Sequence, residues 1–474
     1  MVLKNSYILL LLSINLLASD SISITQKEPK AKKSEALLSR GKFYGDFRLK
    51  SFVYHNRDRT YAQEIVGAGG SLGFKSDYLY GLGFTAVAYS SWELWHGSMD
   101  EVSHYKSSKD ILSRYRVSHG EDRGIKSLAQ AFLEYHNEQN SLKFGRQLFQ
   151  SFLTNSNDTK MIPNAFFGFT AKSTLISDTQ IKLALLTKQK LRDHENFHHL
   201  LAYGDDPNDP YAKWRENDDG AMHRGLTLSK LKDRGIEDYL LVMDLKNSSL
   251  RNSTLYLNYT LAPSLLAYWM MEGSYQFAYD DLRIIPSIRY MRQFDNGAGA
   301  IGGANLRNNT IGYRHPKHLD GELYASRIDF VDSLWRLRFG YSTISDDGDL
   351  VAPWRGFPTG GYSRAMGQYN WYANTDSYMV RIDYNLGQAG WLPHTKAMMR
   401  YVIQDFDDNK AGVQSDSQVF TLDLIKKRFA IFDSLSAKIR VAHVVGEDEI
   451  VAEDGTLKSD PSYNEVRLEF SYLF

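Results

Sequence analysis

The 474-residue chain contains no cysteine, which excludes disulfides, thiolate metal sites, cysteine nucleophiles and a lipid-modified cysteine anchor. It carries no net charge, with 56 basic against 56 acidic side chains, and this balance argues against a nucleic-acid binder. Long apolar runs are also missing beyond the first segment, and mean hydropathy is −0.41, so no helix is expected to cross an inner membrane. The first segment, residues 1–19, places Lys4 ahead of the run Tyr7–Leu17 and small residues at Ala18 and Ser19, the pattern of a secretory signal peptide. Residues 20–41 are charged and poor in large apolar groups, and are expected to form a flexible leader. What the chain does have is aromatic side chains: 30 Tyr, 24 Phe and 8 Trp. An exported, on-average hydrophilic, aromatic-rich chain fits a transmembrane barrel, in which half of each strand is polar and rings collect at the two interfaces.

The closing stretch, Tyr463 to Phe474, sets Val466, Leu468, Phe470, Tyr472 and Phe474 on one face of a strand and Glu465, Arg467, Glu469 and Ser471 on the other. In a closed barrel the first face meets lipid and the second a water-filled lumen. In a soluble sandwich the same alternation would make an edge strand. The remainder of the chain decides between them. Strands predicted from Lys42–Tyr54 onward number about eighteen, and tight turns such as Asn137–Asn140, Asp280-Asp281 and Asp332-Ser333 occupy every second connection. The connections between those are mostly long: Trp92–Ser127, Gln150–Asn164, Gln189–Glu237, Gln293–Gly321, Thr343–Ser377, Asp405–Ser417 and Gly446–Ser462. Loop length sorted by parity is the asymmetry of outer-membrane barrels, and a sandwich has no reason to show it. The fold class is therefore all-β: a transmembrane antiparallel β-barrel of about 18 strands over residues 42–474, whose first strand pairs with its last.

The run Leu142-Lys-Phe-Gly-Arg-Gln-Leu148, followed by Asn157-Asp-Thr-Lys-Met-Ile-Pro163 and Phe166-Phe-Gly168, resembles the strand and inner-loop signature of OprD-type outer-membrane porins. Arg400-Tyr-Val402 with its acidic loop, and Asn464-Glu-Val-Arg-Leu468, are similar to that family's C-terminal strands. The resemblance implies an eighteen-stranded, often trimeric, substrate-preferring diffusion pore of the Gram-negative outer membrane, narrowed by inward loops and lined by a ladder of basic residues. It implies outer-membrane lipid and lipopolysaccharide as surroundings, barrel-assembly machinery reading the C-terminal strand, and small solutes as cargo. Lys160 departs from the arginine expected at its position, and the loop Gln189–Glu237 is long; both bear on which solute is preferred.

Strand parity places Lys143, Arg289, Arg336, Arg338, Arg381, Arg400 and Arg440 on the lumen face, in company with Glu134, Glu272, Asp383 and Asp423. Two readings stay open: a cationic relay for anions or carboxylates, or ion pairs that brace the wall. The segment Gln150–Asn164 is the expected constriction, with Arg146, Asp158 and Lys160 as its charged groups. Arg146 shares parity with the apolar Leu142 and Phe144, so a strand end or bulge at Gly145 is expected to turn it to the channel, the other choice being the membrane interface. Gly297-Ala-Gly-Ala-Ile-Gly302 matches a dinucleotide-binding string but falls in a long loop. His194, His198 and His199, and the acidic runs at 346–349 and 405–409, are poor candidates for metal ligands. No nucleophile, base and orienting acid group together by spacing. The expectation is a passive porin without cofactor, metal or enzymatic activity; the rival readings are a barrel serving surface adhesion and a barrel lipid hydrolase.

Overall fold

The computed structural model describes residues 41–57, 62–97, 110–113, 116, 124–202, 204–205, 225–366 and 369–474. The expected signal peptide and all but the last residue of the expected leader lie outside these.

Nineteen β segments follow one another: β1 (Lys42–Asn56), β2 (Ala62–Lys75), β3 (Leu82–His96), β4 (Ile125–His136), β5 (Asn140–Gln147), β6 (Ala165–Ser173), β7 (Thr179–Lys190), β8 (Leu240–Asn247), β9 (Ser253–Ala262), β10 (Leu266–Tyr275), β11 (Phe277–Tyr279), β12 (Leu282–Asp295), β13 (Gly321–Val331), β14 (Trp335–Ile344), β15 (Thr375–Tyr384), β16 (Thr395–Asp405), β17 (Ser417–Lys426), β18 (Leu435–Gly446) and β19 (Tyr463–Leu473). Both β10 and β11 pair with β12 and are parted only at Gln276, so they fill one place in the wall and the barrel has eighteen strand positions. Every pairing is between chain neighbours and antiparallel, except the one that closes the ring: β1 runs against β19 from Asp46 opposite Leu473 to Asn56 opposite Tyr463. No edge is left unpaired, which is the condition for a sheet in lipid.

Side chains alternate across the wall as the pleat requires. Phe47, Phe144, Ile288, Phe339, Leu422 and Val466 are exposed on the outside, whereas Asp46, Lys50, Asp244, Asp423 and Glu465 are buried on the inside. Near the loop end, aromatic side chains join across strands on the outer face: Trp269 to Tyr290 to Tyr324, with ring centroids 4.9 and 4.8 Å apart, and Tyr341 to Tyr378 at 5.1 Å. One stretch of wall is built from very small residues. Gly70 sits at φ 148°, where a side chain would drive into the Asp46 carbonyl of β1, so glycine there lets β1 and β2 lie against each other.

Several expected strand ends move, two of them by several residues or with a clear cause in the pairing. β3 continues through Trp92 to His96 and β7 through Gln189 and Lys190, because backbone pairing with Ile65–Gly67 and with Ala165–Phe166 persists past the polar residues that read as loop. A bulge between Val66 and Gly67 accommodates the extra residue in β3.

The dry core lies within the barrel mouth. Leu153, Leu201, Leu306, Trp354, Tyr362, Trp371 and Tyr372 come from connecting segments at the loop end and are buried with Leu240, Leu266 and Tyr268 of the wall. A second cluster packs Ile111, Leu112, Met161 and Ile162 on Phe52, Ile65 and Val87. Burying each such side chain contributes roughly 1.5–3 kcal/mol. These connections are consequently held inside the ring rather than above it. Two short helices lie wholly among the described residues: α1 (Leu228–Asp233) and α2 (Ala298–Gly302). The latter is the glycine string itself, a single helical turn, where a following helix would be needed for a phosphate site.

Candidate channel constriction

The connection after β5 crosses the lumen. At its near end Ser151 Oγ donates to Asp244 Oδ1 of β8 at 2.8 Å. At its far end Asp158 is gripped by Arg48 of β1, with Nη2 to Oδ2 at 2.9 Å, and Arg48 Nη1 also donates to the Lys160 carbonyl at 2.9 Å. Lys50 Nζ donates to the Thr159 carbonyl at 3.0 Å and pairs with Glu469 at 3.1 Å. The Lys160 ammonium lies 4.3 Å from the centroid of the Phe52 ring, a cation–π contact well inside the useful range. The expected charged groups Asp158 and Lys160 therefore stand within the lumen.

Arg146 does not join them. β5 runs on through Gly145 to Gln147, and Arg146 lies opposite Ala131 and Phe167 in the outward row. Its guanidinium folds along the wall instead, donating to the Leu128 carbonyl at 3.2 Å and lying 5.1 Å from the Phe197 ring. Gly145 has φ 127°, yet the pairing register stays unbroken across it, so no turn toward the channel results.

A second inward segment, residues 345–374 between β14 and β15, meets the first. Asn155 N–H donates to the Trp354 carbonyl and Gly356 N–H to the Leu153 carbonyl, each at 2.9 Å. It then runs down the wall over the basic residues. Arg289 Nη1 donates to the carbonyls of Pro358 and Gly360 at 2.6 and 3.0 Å, and Arg338 Nη1 to that of Gly361 at 2.7 Å. The Tyr362 ring lies 4.4 Å from the Arg289 guanidinium and 4.8 Å from that of Arg327. The sequence marked Thr343–Ser377 as a long connection but did not pick out Arg327 or an inward course for this segment, although Trp354-Arg-Gly-Phe-Pro-Thr-Gly-Gly-Tyr362 is too apolar for a loop in water.

Most of the row is ion-paired. Arg289 meets Glu272 at 2.5 Å, Arg338 meets Asp329 at 2.7 Å, Arg381 meets Asp383 at 2.7 Å, and Arg440 meets Asp423 at 2.5 Å. Lys143 and Arg336 have looser carboxylate partners, Glu134 at 3.6 Å and Asp329 at 3.7 Å. Arg400 differs: it stands directly opposite Arg381, its contact is the Met398 sulfur at 3.2 Å, and no carboxylate among the described residues lies within ion-pair distance. Arg364, on the second inward segment, is the same. Its guanidinium lies 3.4 Å from the Phe357 ring centroid, and no carboxylate among the described residues pairs with it. Burial, opposed by Tyr369 and reinforced by Arg192, Arg355 and Arg400, pushes it down to about 9. Uncompensated positive charge is thus concentrated where these residues converge.

The weaker candidates are committed elsewhere. His194 Nδ1 faces His198 Nε2 at 2.7 Å, too close to admit a metal between them. Asp349 accepts from Leu306 N–H, Ala373 N–H and the Tyr313 hydroxyl, and Asp346 and Asp407 both grip the buried Lys410 ammonium.

No family model and no curated protein sequence matches the chain. Solved structures do. OpdK of Pseudomonas aeruginosa, an outer membrane protein solved with vanillate, superposes with a TM-score of 0.70 at 15% identity over 92% of this chain and 99% of its own. OccAB3 of Acinetobacter baumannii gives 0.69 at 15% identity over 92% and 99%, and OccK3 (OpdO) of P. aeruginosa 0.66 at 17% over 94% and 98%. The chain has the fold of these proteins: a closed eighteen-position barrel.

Proposed function

We propose that the protein is an outer-membrane porin of a Gram-negative bacterium, giving passive, substrate-preferring passage to small anionic or zwitterionic solutes such as carboxylates and amino acids. The observation that carries this reading is the convergence of Arg364 and Arg400, both without a carboxylate partner among the described residues, beside the two inward segments. In such a confined place the dielectric is below that of water, so each uncompensated charge acts strongly on a passing ion. The ion-paired Arg289, Arg338, Arg381 and Arg440 shape the path and hold its inner segments, while Lys143 and Arg336 extend the basic face. Vanillate, present in one OpdK structure, is itself a carboxylate, which agrees with this solute class. The likeness in fold supports the location, and the paired, outward-apolar strands meet the demands of lipid. Assembly into a trimer and recognition of the C-terminal strand by barrel-assembly machinery belong to the same proposal.

The test is planar-bilayer conductance of the purified protein with a reversal potential measured in a potassium chloride gradient. Selectivity for chloride supports the reading. Preference for potassium overturns it, and absence of conductance points to the adhesin or lipid-hydrolase alternatives.

A further inference from the structure

The turns at the short-connection end are not alike. Those after β2, β4, β6, β11 and β13 are small and carry carboxylates, Asp77, Glu138, Asp178, Asp280-Asp281 and Asp332, while the one after β8 carries Leu250 and Arg251. Residues 385–394 and 427–434, between β15 and β16 and between β17 and β18, are longer and of another character. Their tips are apolar and exposed: Trp391 is 69% and Ile431 85% exposed, and Leu392 and Phe432 accompany them. Since β16 pairs with β17, the two turns are neighbours, and they are tied together: Lys426 Nζ donates to the Pro393 carbonyl at 2.9 Å and Lys427 N–H to the His394 carbonyl at 3.0 Å. Basic residues edge them at Lys426, Lys427 and Arg428, and Arg428 Nε pairs with the single carboxylate, Asp433, at 2.7 Å.

What covers such tips follows from their continuity with the wall. The Trp391 ring lies 5.7 Å from that of Tyr384, the last residue of the outward row of β15 that holds Tyr378 and Ile382. The outer apolar surface thus continues around the lower rim onto the turns. A docking site for a soluble protein would instead be separated from the lipid-facing wall by a polar boundary. Apolar tips edged by lysine and arginine are the composition of a segment lying in the headgroup layer of an anionic membrane.

We infer that the turns 385–394 and 427–434 form a foot that inserts Trp391, Leu392, Ile431 and Phe432 into the periplasmic leaflet and binds the phosphate of an anionic phospholipid through Lys427, beside the Asp433-paired Arg428. The foot rests on the proposal that the barrel spans a bilayer, and it adds a lipid-recognition site separate from the channel. It fixes the depth and tilt of one side of the barrel, because it gathers four exposed apolar side chains on two linked turns, whereas Leu175 and Ile176 after β6 and Leu250 after β8 stand on single turns.

The experiment reconstitutes the full chain, as wild type and as Trp391→Phe, in vesicles of phosphatidylcholine with and without phosphatidylglycerol, some with lipids brominated near the headgroup. The emission lost in Trp391→Phe belongs to Trp391. The expected result is that this difference emission is quenched by the brominated lipid and protected from aqueous acrylamide. Replacing Lys427 by glutamine should lower the preference for phosphatidylglycerol over phosphatidylcholine by roughly fivefold. Quenching of Trp391 by acrylamide and not by brominated lipid overturns the foot and leaves the tips in the periplasm. Trp92 on the outer wall separates the two proposals: if it too escapes the brominated lipid, the barrel is not in the bilayer at all.

Discussion

Arg48 and Asp158 join the first strand to the tip of a connection that starts nearly a hundred residues later, through paired guanidinium–carboxylate hydrogen bonds across the lumen. Charge-assisted bonds of this type are worth about 1.5–3 kcal/mol each when partly buried. Asp158→Asn should weaken this attachment by about that amount and leave the barrel intact. Single-channel records should then show a larger or noisier open conductance at unchanged heat-modifiability on gels. An unaltered conductance would mean that the segment after β5 does not set the bore.

Selectivity should depend on charge balance at the constriction rather than on any one arginine. Arg400→Gln removes a positive charge without exposing a carboxylate, so anion permeability relative to potassium should fall, most at low salt where screening is weak. Arg381 is neutralised by Asp383, so the double change Arg381→Gln with Asp383→Asn should leave the reversal potential near that of wild type. Equal shifts in the two variants would remove Arg400 from its assigned role.

Closure of the ring is open to a direct check. Phe474 N–H donates to the Gly45 carbonyl at 3.1 Å and the Phe474 carbonyl accepts from Gly45 N–H at 3.0 Å, so deleting Phe474 removes the last two rungs between β1 and β19. Its absence should reduce the yield of the heat-modifiable folded form far more than shortening the connection 447–462. The parity of β19 can be read in the same chain by cysteine labelling. With no native thiol present, Glu469→Cys should react with a water-soluble reagent in membranes and Phe470→Cys should not.

The segment before β8 should respond to pH. Asp238 accepts from Leu201 and Ala202 N–H, yet burial pushes its carboxyl up to about 6. A carboxyl raised above its ordinary value of about 4 holds its proton longer in the folded state. Its contribution is therefore fully present below about pH 4 and is lost as pH rises through about 6, a change on the order of 2 kcal/mol. Amide exchange at Leu201 and Ala202, corrected for intrinsic rate, should be slowest at low pH, and Asp238→Asn should abolish the dependence.

The alternation in Tyr463–Phe474 and the parity of loop lengths were enough to read the barrel, because a closed wall with an apolar outer face and a polar inner face imposes a period of two on every strand. The constriction was legible only in part. Asp158 and Lys160 are local to one segment whose composition marks it, but their partners Arg48 and Phe52 belong to β1, and no spacing rule connects them. Arg146 was misdirected because Gly145, a plausible bulge, is absorbed into the ladder without a register shift. Arg364 escaped notice because parity applies to strands alone, and a connecting segment gives no direction to its side chains.

The pairing of β1 with β19 has a further consequence, for the order in which the molecule can be made. Arg48 lies opposite Ser471, so one side of the first strand has no partner until the last strand exists. Until then that open edge is a template for mispairing with any other extended chain, and Phe43 and Phe47 on the outward face add apolar surface beside it. Contacts between such distant positions are the slowest to form. The chain must therefore be kept apart from its copies until β19 is in place, because only then can the ring close.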